Sequence, residues 1–225
     1  MGQDHFPNLP VGDGMGFSRG VMLLDDCEGT FTYIVGGTGG DDVHEYLAAA
    51  AFTGTNGLHL KTRTTAAAAG DIVTIYKYHS IPESGLLVIR ARLASPDLTK
   101  VKSIQLGSVI NSGAETYQAL LKHSPNTPKT EYQTTAAAFV AIATMALPTV
   151  ASAFIDFELV IDCLAKQYIS VTWNGIRAKL PGIPLWDVGA AVARYGCLIL
   201  SVEAIGAAAA EIYADNLYIG EHLES

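Results

Sequence analysis

The chain has 225 residues and a formal net charge of −8, with 14 basic against 22 acidic residues. It contains no run of Lys or Arg, which argues against binding a phosphate backbone, where a basic stripe supplies the affinity. Only 16% of the residues are charged and 49% are hydrophobic, against roughly 25% charged in an average soluble domain; so few charges leave wide neutral patches, and contiguous patches of that kind mark contact surfaces.

In chain order, residues Met1 to Arg19 are rich in Gly and Pro and read as an extended arm rather than a helix or central strand. Such an arm is expected either to dock on a neighbouring subunit or to fold along its own domain. Short strand-like segments follow: Val21 to Leu24, Phe31 to Val35, Leu58 to Thr64, Asp71 to Tyr78 and Leu86 to Leu93. Gly36 to Gly40 reads as a loop between two of them. Val101 to Leu106, Tyr117 to His123 and Lys129 to Thr134 are weaker candidates. The apolar run from Ala136 to Phe154 is broken by Pro148 and reads as a strand plus a loop, so no transmembrane helix is expected. Alanine runs at Ala48–Ala51, Ala66–Ala69 and Ala207–Ala210 are far too short for independent helices and read as connections or single turns.

The stretch from Phe154 to Leu180 is the clearest part. Phe157, Leu159 and Ile161 alternate with Asp156, Glu158 and Asp162, the period-two pattern of a half-buried strand. Ile169, Val171 and Trp173 form a second apolar row, and Asn174-Gly175 predicts a two-residue type I′ turn. Ile176, Ala178 and Leu180 return opposite Arg177 and Lys179. An antiparallel meander with one apolar side needs a second layer to cover it. Tyr195 to Ala204 and Glu211 to Ile219 complete about a dozen strands, the spacing of an all-β, single antiparallel β-sandwich. The division expected is an arm over residues 1–20 and one sandwich domain over 21–225.

Several stretches resemble a known family. Leu24-Asp25-Asp26-Cys27-Glu28-Gly29 resembles the opening acidic segment of β-sandwich carbohydrate-binding and lectin-like domains, and Gly57 to Thr62 resembles the strand that follows it there. Phe157 to Leu185 is similar to the late hairpin of concanavalin A-like jelly rolls, and Ala214 to Gly220 to their closing strand. The resemblance implies a jelly roll. It also implies a structural calcium between the opening acids and the last strand, on Asp26, Glu28 and Asp215; solvated turn acids are the alternative. Jelly rolls host lectins, glycosidases, lyases and viral shell or decoration proteins, so the fold alone names no function.

No catalytic constellation is visible. A retaining glycosidase needs two carboxylates about 5 Å apart beside a sugar cleft; Asp156, Glu158 and Asp162 alternate on one strand but read as a solvated sheet face. There is no G-x-S-x-G elbow, and the six histidines show no metal-binding spacing. Cys27, Cys163 and Cys197 are an odd count without metal spacing and fit buried reduced thiols. Residues 1–20 lack a secretory signal, so synthesis in a cytoplasm is expected, with a virion as a final location. Ring faces that stack on sugars or subunits would come from Trp186, in a loop, and from Tyr168, Tyr76 and Tyr78. Trp173 shares the parity of the core.

The expectation is a non-enzymatic structural protein that forms homo-oligomers or a larger assembly, of virion capsid or decoration type. A lectin-like carbohydrate-binding module that takes a glycan is the alternative, and a glycosidase or lyase the third reading. Neither nucleic acid nor membrane is an expected partner, and no cofactor beyond calcium is.

Overall fold

The computed structural model describes residues 21–38, 41–52, 54–82, 85–127, 129–143, 153–191 and 193–221. The arm expected over residues 1–20 lies outside them. Among the described residues sixteen strands follow one another: β1 (Val21–Asp25), β2 (Ile34–Gly37), β3 (Val43–Leu47), β4 (Gly57–Lys61), β5 (Ile72–His79), β6 (Leu86–Ala94), β7 (Val101–Ser112), β8 (Glu115–Ser124), β9 (Lys129–Gln133), β10 (Phe139–Ala143), β11 (Ile155–Asp162), β12 (Gln167–Trp173), β13 (Ile176–Pro184), β14 (Trp186–Ala190), β15 (Arg194–Ala204) and β16 (Glu211–Glu221).

They form two antiparallel eight-stranded sheets. The first runs β13, β12, β11, β6, β16, β4, β3, with β1 beside β4 on the same side of β16. The second runs β10, β9, β8, β7, β15, β5, β2, with β14 pairing the start of β8 and β9 its end. Alternate residues of both sheets meet in one core, including Leu58, Leu87, Leu159 and Ile219 from the first and Ile75, Leu106, Leu121 and Leu200 from the second. This is a jelly-roll sandwich, and its two inner faces consume the apolar alternation that the sequence displays.

The meander folds as its pattern requires. Asn174 and Gly175 have φ of 47° and 80°, the positive values of a type I′ turn, and Trp173 pairs with Ile176 across it. Trp173 is buried and stacks on His123 with centroids 4.6 Å apart. Two details differ from the simple alternation. Register shifts within β12 turn Tyr168 inward along with Val171 and Trp173, and leave Ile169 on the opposite face. Ile176, at the turn, is 63% exposed, while Leu180 reaches the core.

Beyond Leu180 the chain does not enter a loop. β13 continues through Pro181 and Pro184 as the edge of the first sheet, where a missing N–H costs no ladder bond. Leu185 is buried, and the next residues cross to the second sheet as β14. Trp186, expected in a loop, is therefore the first residue of a strand. The short edge strand β3 was not visible in the sequence, because Val43 to Leu47 carries His44 and Glu45 where an apolar alternation would have marked it. Ala48–Ala50 forms one 3₁₀ turn, as short alanine runs should.

Candidate functional site

The outward residues of the second sheet make one broad face. Since Val73, Ile75, Leu106, Ile110, Ala119, Leu121, Leu198 and Leu200 point into the core, their neighbours along each strand point away from it. Strand register then arranges those neighbours in rows. Tyr78 of β5, Cys197 of β15, Val109 of β7, Gln118 of β8 and Trp186 of β14 form one row. Ile34, Tyr76, Ile199, Gly107 and Leu120 form the next. On the other side of the first lie Tyr195, Asn111 and Thr116. None of these side chains is an acid or a base of the Asp, Glu, Lys or Arg kind.

The first row crosses five strands, four spacings of ~4.8 Å, so Tyr78 and Trp186 stand about 19 Å apart at its ends. Tyr78 is 59% exposed and packs edge-on against Tyr195, with centroids 5.2 Å apart and planes at 88°. Between the two aromatic ends the floor is recessed: Cys197, Ile199 and Leu120 are buried. A Cβ on Gly107 would sit 1.9 Å from the Ala119 carbonyl oxygen, so only glycine allows β7 and β8 to approach this closely. Burial raises the Cys197 thiol above its ordinary range, which leaves it neutral in the floor.

Among the described residues the charges bordering these rows gather toward one side, and there they compensate one another. Glu131 meets Lys129 at 2.6 Å and Lys122 at 3.1 Å, and Lys122 lies 4.2 Å from the centroid of Phe139. Burial works to raise the Glu131 carboxyl, but the two ammonium groups hold it below the ordinary carboxylate range. Glu203 is held by Lys102 at 2.6 Å and Ser103 at 3.0 Å. A hollow of about 480 Å³ opens near them, around Lys102, Ser124, Asn126 and Ile205, but no aromatic ring lines it.

Three of the four contact residues named from the sequence, Trp186, Tyr76 and Tyr78, share this face. The fourth does not. Tyr168 is 0% exposed; its hydroxyl accepts the Leu120 N–H at 3.1 Å and reaches the Gln133 carbonyl at 3.3 Å. It crosses the core from the first sheet and fixes the backbone of β8 and β9 beneath the face. Its turn inward follows from the irregular register of β12, which no spacing in the sequence announces. Val109, Gln118, Asn111 and Tyr195 were not singled out. For Asn111, Gln118 and Tyr195 the signal would have been uncharged polar residues at outward positions of three otherwise apolar strands; Val109 carries none.

The acids assigned to calcium are placed differently. The Asp215 side chain is fully buried and accepts the N–H groups of Phe52 at 3.0 Å and Asn216 at 2.8 Å. Glu28 accepts those of Thr55 and Asn56, which hold its carboxyl below the ordinary range. Asp26 accepts the N–H of Glu28 at 3.2 Å. Asp215 and Glu28 thus clamp the 52–56 connection from two sides. Among the described residues no three His, Cys, Asp or Glu side chains gather as a metal site. As placed, each of the three carboxylates accepts backbone N–H groups and they do not converge on a common point.

Catalytic arrangements fare no better among the described residues. Asp156 and Glu158 pair with Arg92 at 2.7 Å and Arg90 at 2.8 Å on the outer face of the first sheet, and Asp162 accepts two turn N–H groups. Ser108 and His79 do touch, Oγ to Nε2 at 2.9 Å, but they are 0% and 7% exposed. His79 Nδ1 lies 2.6 Å from the Ser80 carbonyl, so it carries the proton and Nε2 accepts from Ser108. A sealed pair of this kind cannot meet a substrate. All three cysteines are free and buried, and no described helix is long and apolar enough to cross a membrane.

No family model matches the chain, and no curated protein matches it in sequence. Solved structures do. A carbohydrate esterase from the Shiga toxin-encoding bacteriophage phi24B superposes with a TM-score of 0.56 at 12% identity, covering 84% of this chain and 90% of that one. The family 11 carbohydrate-binding module of a cellulosomal cellulase of Clostridium thermocellum gives 0.50 at 13% identity, covering 93% and 98%. A cellulose induced protein, Cip1, gives 0.50 at 14% identity, covering 88% and 96%. At such identities the likeness establishes the fold alone: a two-sheet antiparallel β-sandwich of jelly-roll type.

Proposed function

We propose that this chain is a non-enzymatic glycan-binding module, with its ligand lying on the outer face of the second sheet. The observation that carries this is the uncharged row from Tyr78 to Trp186. Pyranose rings have apolar C–H faces that pack on aromatic faces, and hydroxyl edges that need neutral hydrogen-bond partners. Tyr78, Tyr76 and Trp186 offer the first; Gln118, Asn111 and Thr116 offer the second. Covering a charged face with a neutral ligand would strip water from ions without replacing it, so the lack of charges suits a neutral polysaccharide. One of the solved structures of similar fold is a carbohydrate-binding module, which agrees with the reading.

The assembly reading uses the same face. Ile34, Tyr78 and Tyr195 are among the exposed large apolar residues, and a virion shell or decoration component would bury them against another subunit. Low charge density supports both readings, but an aromatic row edged by amides fits a sugar better than a subunit core, which is depleted in polar groups. A glycan array followed by calorimetry on its hits tests the proposal. Saturable binding to a neutral oligosaccharide, lost in Trp186→Ala, is the expected result. Absence of any hit, with an oligomer in light scattering that Tyr78→Ala dissolves, would transfer the face to assembly.

A further inference from the structure

A buried amide oxygen on the outer face of the second sheet has no partner among the described residues. In β9, Thr130 bonds the core side chain of His123, while Glu131 meets Lys122 and Lys129 outside. Gln133 shares the outward parity of Glu131. Its side chain is 3% exposed, yet its Oε1 accepts no hydrogen bond. An unpaired buried acceptor is destabilising, and a donor that arrives there relieves that cost.

Register fixes what surrounds this oxygen. Leu121 pairs with Tyr132, which sets Gln133 beside Leu120. The Tyr168 hydroxyl confirms it from beneath by touching both the Leu120 N–H and the Gln133 carbonyl. Leu120 closes the row of Ile199 and Gly107, and the half-buried Val109 lies in the next row. The floor beside the amide is therefore aliphatic. Phe139 pairs with Gln133 from β10, and Lys122 lies over the Phe139 ring. They wall the amide on that side and leave the approach over Leu120, from the Trp186 end of the row.

Trp186 pairs with Gln118 on the edge of β8 that Gln133 borders at Leu120. Gln118 and Leu120 are two residues apart on one strand, about 7 Å. A pyranose stacked on Trp186 thus holds a ring substituent over Leu120 and next to Gln133. A hydroxyl would satisfy the acceptor but set its own lone pairs against an aliphatic floor. An acetamido group divides its chemistry as the site does: a methyl for the floor, an N–H for the lone acceptor, and no charge. We propose that the face takes N-acetylated sugars, with the acetamido methyl on Leu120 and its N–H donated to Gln133 Oε1. This rests on the glycan reading of the face and names its sugar.

Calorimetry on a matched pair tests it, the N-acetylglucosamine tetramer against the glucose tetramer of the same linkage. The parent protein should bind the acetylated tetramer at least tenfold more tightly. Gln133→Leu should remove most of that preference and leave the affinity for the glucose tetramer unchanged. Its melting temperature should not fall, because the variant loses an unpaired acceptor and keeps the volume. Trp186→Ala should weaken both tetramers. Equal affinity for the pair, or a preference that survives in Gln133→Leu, overturns the proposal while the face remains a glycan site. So do glycan-array hits confined to sugars without acetamido groups. An array with no hits of either kind overturns the glycan reading and this proposal together.

Discussion

The two sheets are built by the same alternation, yet their outer faces solve different problems. On the first, outward positions carry Arg90 with Glu158, Arg92 with Asp156, and Lys61 with Glu211 at 3.3 Å. Opposite charges directly across strands stabilise a sheet that faces water, by a few tenths to about 1 kcal/mol each. On the second, the corresponding rows hold Tyr, Gln, Asn, Thr, Ile and Cys. These contribute less to sheet pairing but can be covered without stranding an ion. The difference teaches that low overall charge is not spread evenly over this molecule. It is concentrated on one face, and that face is the one with a ligand-sized aromatic span.

The largest expected effect separates the sheets by acid. Buried His79 and His123 both belong to the second sheet, and burial lowers both, His123 to about 4. Their neutral forms are the folded ones. Stability is therefore full above the unfolded value of 6.5 and is lost as pH falls from there toward 4, where the His123 contribution ends. At ~1.4 kcal/mol for each step of one in pH between 6.5 and about 4, that loss is about 3–4 kcal/mol. Thermal melts between pH 7 and 4 should show it, and His123→Gln should flatten much of the slope. A melting temperature that rises over this range would contradict the assignment.

Next come the faces themselves. Tyr78→Ala with Trp186→Ala should weaken glycan binding about a hundredfold, equivalent to ~2.7 kcal/mol, and shift the melting temperature little, since Tyr78 makes its main contact with Tyr195. Arg90→Ala should do the reverse. It leaves the half-buried Glu158 carboxylate and the Tyr218 ring without their partner, at about 1–3 kcal/mol, while calorimetry on the bound glycan should read the parent affinity. If both variants weakened binding equally, the division of labour between the faces would be wrong.

How much of this the sequence carried depends on the strand. The meander was legible because its outward residues are charged and its inward ones are apolar, so alternation was sharp and Asn174-Gly175 closed the turn. The second sheet was faint for the reason that makes it interesting. Gln105, Gly107, Ser108 and Gln118 interrupt the contrast in β7 and β8, so Val101 to Leu106 was read short of a strand that runs to Ser112. Trp186 stands out as a contact residue, yet its stretch reads as a loop, because Pro181 and Pro184 announce breaks that an edge strand tolerates. Tyr168 was misplaced by the irregular register of β12. The row itself joins residues from five strands and exists only once register is known.

The smallest expected effect concerns the acids near the ends of β1 and β16. The resemblance placed calcium on Asp26, Glu28 and Asp215, whereas their oxygens accept N–H groups of Phe52, Thr55, Asn56, Asn216 and Glu28. Anything that binds only the folded state must raise the melting temperature with its concentration, by ~2.7 kcal/mol at a hundred times its Kd. Melts in EDTA and in millimolar calcium should therefore coincide. Asp215→Asn should still lower both curves, because an amide offers one acceptor oxygen where the carboxylate serves two N–H groups and so loosens the clamp on the 52–56 connection. A calcium-dependent rise that Asp215→Asn abolishes would show that these oxygens can turn from the backbone to an ion.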